Sequence, residues 1–119
     1  MEKRKEIWIA ISSFYLDTEL QESDYLEITK IFKLSKLSID ELKAIDTYEV
    51  FPALQINMES ITGEWTGFNE EWLIEICTKN YKRSKHKIFR FITNIRNKRR
   101  YWMRKEHWEK VEKLMREIN

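Results

Sequence analysis

"SIDELKAIDTYEVFP", residues 38 to 52, is the stretch that sets the fold class. Ser38 stands three residues before Glu41, the spacing of a capping box, in which the hydroxyl accepts the N3 amide and the carboxylate bonds back to the cap amide. Leu42, Ile45 and Tyr48 then fall on one face of a helix. Pro52 disfavours helical backbone at Phe51, so the pattern predicts a helix that opens at Ser38 and ends near Val50.

The composition around this helix points the same way. The chain has 119 residues with two Gly and one Pro. Sandwiches and barrels need many tight turns, so this scarcity favours helices. Apolar residues make up 42% and aromatics 13%, enough for a core and unlike a disordered chain.

Upstream, Ile7, Ile11, Phe14 and Tyr15 recur at helical spacing, with Trp8 and Ala10 beside them. "LDTELQESD" follows as an acidic connection. Ser23 or Glu22 opens a second helix, Ser23 being the better cap because its hydroxyl can take an orphan amide. Tyr25, Ile28, Ile31 and Phe32 give that helix its stripe. Downstream, "ALQINMESITGEWTGF" is irregular and holds both Gly63 and Gly67. Asn69 then caps a helix with Glu70 and Glu71 in its first turn, where the helix dipole favours carboxylates. Trp72, Leu73, Ile76 and Cys77 form its expected inner face.

Ser84 is the expected cap of the last element, with Ile88, Phe91, Ile92 and Ile95 as its core-facing stripe. Trp108, Val111, Met115 and Ile118 resume the helical spacing in a shifted phase. Across "NKRRYWMRK" either one long helix bends or two helices meet. The expectation is therefore an all-α fold: a compact bundle of about five helices in one domain, residues 1–119, the last helix long and basic and either bent or split.

The net charge of +2 hides a division. Residues 1–79 carry 8 Lys/Arg and 16 Asp/Glu, a net of −8, and residues 80–119 carry 14 and 4, a net of +10. Residues 80–105 hold eleven Lys or Arg and no acidic residue. Cys77 is the single cysteine, cannot form an internal disulfide, and is read as a buried thiol. His86 and His107 lie far apart without a Cys partner and are read as surface residues, so no metal site and no cofactor is expected. No apolar run has signal-peptide or membrane-span length, and the chain reads as cytoplasmic.

Several segments together resemble a known family. "WIAISSFYLDTEL" (Trp8 to Leu20), Glu49, Val50 and Pro52, and "GEWTGFNEEWL" (Gly63 to Leu73) are similar to a family of small bacterial proteins of unknown function. Its members read like W-x-A-L-S-x-x-F-L-D-T-E-L and G-x-W-x-G-F-x-x-x-W-L. The likeness covers about residues 8 to 76, and Ile11 stands where that family has Leu. The resemblance implies a compact helical domain and supplies no enzyme activity. Small proteins of this kind resemble immunity proteins, which neutralise a partner toxin.

Three functional readings follow. The first is a noncatalytic protein-binding protein of the immunity type, occluding the active site of a cognate toxin that is expected to be basic, as a nuclease is. Asp17, Glu19, Glu22 and Asp24 would be its contact set, with Trp65 and Phe68 as anchors; such charge speeds encounter with a basic partner. The second is a nucleic-acid-binding module using Arg96, Lys98, Arg99, Arg100, Arg104 and Lys105. Five phosphate contacts on duplex DNA would give a log–log salt slope of about −4.5. The third, a small hydrolase or metal enzyme built on Asp17, Glu19 and Glu64, lacks an accompanying His, nucleophile or phosphate loop. Membrane binding is disfavoured on the expectation that the Ile88–Ile95 stripe is consumed by the core.

Overall fold

The computed structural model describes residues 2–15, 19–58 and 69–117, and all its regular elements are helical. Helix α1 (Glu2–Ser12) runs into a 3-10 turn (Ser13–Tyr15). Then come α2 (Glu22–Ser35), α3 (Ile39–Ile45), a π turn (Asp46–Val50), α4 (Phe51–Met58), α5 (Glu70–Arg83), α6 (Lys87–Arg100), a second 3-10 turn (Tyr101–Met103) and α7 (Lys105–Glu117). α3, the π turn and α4 form one continuous rod, because the residues at both junctions, Ile45, Asp46 and Phe51, are all right-handed helical. That makes six rods among the described residues.

Ser38 caps α3 by accepting the Glu41 amide at 3.1 Å, and Asn69 caps α5 by accepting the Trp72 amide at 3.0 Å. α2 opens earlier than expected, its cap lying two residues before Ser23. Gln21 is its cap, and Asp24 accepts the Gln21 amide at 2.8 Å, so the box uses an Asp at N3. α2 ends on Lys36, whose φ of 64° turns the chain out of the helix. Ser84 does not open the last element. It closes α5, its hydroxyl bonding back to the Tyr81 carbonyl, and His86 stands at the start of α6.

The helix that begins at Ser38 does not stop before Pro52. A proline inside an α-helix removes one hydrogen bond and clashes with the carbonyl four residues back. Here the preceding turn is widened: the Phe51 amide bonds the Asp46 carbonyl, five residues back, and the rod continues through the proline. This π turn is the hub of the molecule, packing against α1, α5 and α6. Elsewhere α2 lies on α7, and α1 lies on both α2 and α5.

The core is assembled from Trp8, Ile11, Phe14, Ile28, Phe32, Leu42, Val50, Leu54, Leu73, Cys77, Trp108 and Val111, all buried. Trp108 is its aromatic centre. Phe32 stacks on it at 5.6 Å between ring centroids, and Phe14 meets it edge-on at 5.2 Å. Such pairs add about 0.5–1.5 kcal/mol beyond area burial. The basic C-terminal segment is split at Tyr101–Met103, and its first half is turned over relative to expectation. Ile88 and Phe91 are 76% and 68% exposed, and Ile92 and Ile95 face solvent as well. Thr93 and Asn97 are the buried side of α6. Trp72 likewise faces outward on α5, while Leu73 and Cys77 face in.

Candidate functional site

The π turn buries two carboxylates three residues apart, and each is held by its own set of donors. Asp46 Oδ2 accepts Arg104 Nε and Trp108 Nε1, both at 2.9 Å, and Oδ1 accepts the Tyr15 hydroxyl. Glu49 takes a bidentate pair from Arg4, Nε to Oε1 at 2.7 Å and Nη2 to Oε2 at 2.6 Å, and Trp8 Nε1 donates to Oε1 at 2.9 Å. The Glu49 carbonyl accepts Asn80 Nδ2 at 2.9 Å.

Arg104 is fully buried. Its Nη2 donates to Asn97 Oδ1, and the rings of Tyr15, Phe51 and Tyr101 surround the guanidinium at 5.0–5.5 Å. Nη1 has no hydrogen-bond partner among the described residues. Burial alone would lower the Arg104 pKa, but the Asp46 carboxylate, through its charge and its hydrogen bond, outweighs it and leaves the value raised. Burial, reinforced by Asp46, pushes the Tyr15 phenol well up, so Tyr15 is a neutral donor. These groups hold one another: each oxygen of both carboxylates accepts from at least one fixed donor. A depression of about 260 Å³ touches the Glu49 edge, but Arg4 already pairs with that carboxylate there, and Arg90 lies over the Tyr48 ring at 3.9 Å.

Of two further groups, His107 departs from the expected surface position and Cys77 does not. His107 is half-buried: its ring stacks on Phe14 at 5.3 Å, and Nδ1 shares a 2.7 Å hydrogen bond with the Tyr25 hydroxyl. Burial lowers its pKa. Cys77 is buried as expected, and desolvation pushes its thiol far up, so it is an unreactive thiol.

On the outside, two surfaces have opposite character. The first is the seam between α1 and α2, made of two adjoining depressions of about 330 and 660 Å³ that share Ile9, Glu27 and Ile31. Its floor is apolar: Ile9 and Ile31, with Leu26 and Leu34 exposed at one end. Glu6, Glu19, Asp24 and Glu27 line it with carboxylates, and Lys30 is the cation among them. The second is the outer face of α6, where Ile88, Phe91, Ile92 and Ile95 make an apolar line, continued by exposed Trp102 and Met103.

The expected contact residues distribute unevenly over these features. Glu19 and Asp24 line the seam, and Asp24 also serves the α2 cap. Glu22 is exposed on the other side of α2, in a depression with Tyr25 and Lys110. Asp17, Trp65 and Phe68, and Glu64 of the hydrolase reading, lie outside the described residues. Of the six expected phosphate contacts, Arg96, Lys98, Arg99 and Lys105 are exposed and Arg100 is partly so. Arg104 is a correction: it is the buried partner of Asp46 and cannot reach a phosphate in this fold. The expectation that the core consumes the α6 stripe is also corrected, and with it the argument drawn from it against an interfacial helix.

Asp46, Glu49, Arg4 and Arg104 were missed as a set. One signal was present for Arg104: it extends the Trp108, Val111, Met115 spacing backward by one turn, which places it on the inner face. Among the described residues no group of three or more His, Cys, Asp or Glu is placed to hold a metal ion. No described helix is long and apolar enough to cross a membrane.

Fold and site together define a small all-helical domain wound around a buried, ion-paired rod. The chain belongs to the family described as domain of unknown function (DUF7079), whose model matches residues 2–114. No curated protein and no solved structure shows significant similarity to it.

Proposed function

We propose that the protein is a noncatalytic binding protein of the immunity type, which neutralises a basic protein toxin by covering its active site or substrate path. The observation that carries this reading is the α1–α2 seam, an open apolar floor lined by four carboxylates. A groove of this kind suits an amphipathic segment with an apolar line and basic flanks. The carboxylates would steer and orient the encounter, and the apolar floor would supply the contact energy. The commitment of Asp46 and Glu49 to internal donors supports a scaffold role for the core's charges.

Co-expression with the product of a neighbouring gene tests the reading. Protection of growth by the wild type, and its loss in a Glu19→Lys, Glu27→Lys variant that still folds, is the expected result. Absence of protection together with absence of a stable complex would refute it.

A further inference from the structure

We infer that the chain associates with itself head to tail, α6 of one copy lying in the α1–α2 seam of the next. The inference goes beyond the toxin reading and stands on two surfaces of this chain alone, although both use the seam.

The first surface is a helix with its apolar line on the outside. Ile88, Phe91, Ile92 and Ile95 follow the i, i+3, i+4, i+7 spacing with which helices enter grooves. At about 100° per residue, Lys87 and Lys98 fall on one flank of the line and Arg96 on the other, with Arg99 at its C-terminal end. No acidic residue occurs between Glu75 and Glu106. An outward apolar line of this size on a protein surface marks an interaction site.

The second surface is the seam. Its floor matches the line in being apolar, and its Glu6, Glu19, Asp24 and Glu27 oppose the flanking cations. The complementarity cannot be satisfied within one molecule by the same face, because α6 rests on the π turn through Thr93 and Asn97. Stripe against stripe would oppose cations, and seam against seam would oppose carboxylates. Both two-fold arrangements are therefore disfavoured, and stripe into seam is the arrangement the charges allow. Such a heterologous contact leaves one unused surface at each end, so assembly grows into chains or closes as a ring. One helix in one groove buries less than the roughly 1,600 Å² of a standard stable interface, so the association is reversible and weakened by salt.

Sedimentation velocity of the full chain, from micromolar to near-millimolar concentration at low salt, tests this. The expected result is a mass that rises steadily above 14.7 kDa with concentration and falls back on adding salt. Two variants fix the geometry: a stripe variant, Phe91→Gln with Ile92→Gln, and a seam variant, Leu26→Gln with Glu27→Lys. Each alone should associate about tenfold more weakly or worse. Mixed, they should form a one-to-one dimer that grows no further, because each contributes one intact surface. All four positions are at the surface, and circular dichroism verifies that the variants fold; if a pair does not fold, its single substitution Phe91→Gln or Glu27→Lys replaces it. A wild type that stays monomeric throughout overturns the inference, as does self-association that either variant leaves untouched. A monomer that instead binds phosphatidylglycerol vesicles would also overturn it and assign α6 to a lipid surface. A monomer that captures a toxin defeats the inference and spares the toxin reading; self-association without protection does the reverse.

Discussion

Arg104 and Asp46, 58 residues apart in sequence, meet with Nε 2.9 Å from Oδ2 where neither side chain reaches solvent. The pair joins the start of α7 to the π turn, and Trp108 and Tyr15 donate to the same carboxylate. Desolvating two charges is costly, and removing one partner leaves the other buried without compensation. Arg104→Met or Asp46→Asn should each cost about 3–5 kcal/mol in urea unfolding. The double variant Asp46→Asn, Arg104→Met should cost clearly less than the sum of those two single changes, because no charge remains stranded. Additive losses would mean that the two side chains act independently.

Trp8 donates its indole N–H to Glu49 across the α1 contact with the π turn. Trp8→Phe removes a hydrogen bond to a charged group, about 1.5–3 kcal/mol, and some packing volume with it. Arg4→Met should cost less than Arg104→Met, since the Arg4 side chain is 29% exposed and Arg104 is not exposed at all. Equal losses from the two arginines would contradict the assignment of Arg104 as the central one.

His107 gives the fold an acid-sensitive element. Burial lowers its folded-state pKa below the ordinary value of about 6.5. Between the two values the unfolded chain binds more protons, so stability rises with pH through that window. The contribution is whole above about pH 6.5 and is lost as pH falls toward the lower folded value. Thermal unfolding of wild type and His107→Gln, followed downward from neutral pH, should show the wild type losing its advantage over that interval. A difference independent of pH would contradict a buried neutral imidazole.

The all-helical class and the caps at Ser38 and Asn69 were legible because each depends on residues a few positions apart. The α6 error has a different origin. Periodicity shows that Ile88, Phe91, Ile92 and Ile95 share a face, but not which way that face points. The buried guanidinium of Arg104 needs acceptors, and α6 meets it with Asn97, so the polar side of the helix is the inner one. That need is set by an ion pair whose partner lies 58 residues away, and nothing local to α6 announces it. The passage through Pro52 was hidden for a related reason: it depends on the Phe51 amide reaching the Asp46 carbonyl five residues back, a widened turn that the residues flanking the proline do not announce. The seam was half visible, through Glu19 and Asp24. Its floor needed the three-dimensional pairing of α1 with α2.

The orientation of α6 underlies both the exposed stripe and the buried network. Its most direct test is the urea unfolding of the fourfold variant Ile88→Gln, Phe91→Gln, Ile92→Gln, Ile95→Gln at a concentration where the chain is monomeric. With the stripe outside, the variant folds and its unfolding free energy stays within about 1–2 kcal/mol of wild type, as surface substitutions do. If those four side chains filled the core, each would cost about 2–5 kcal/mol and the variant would not fold, which would contradict the account.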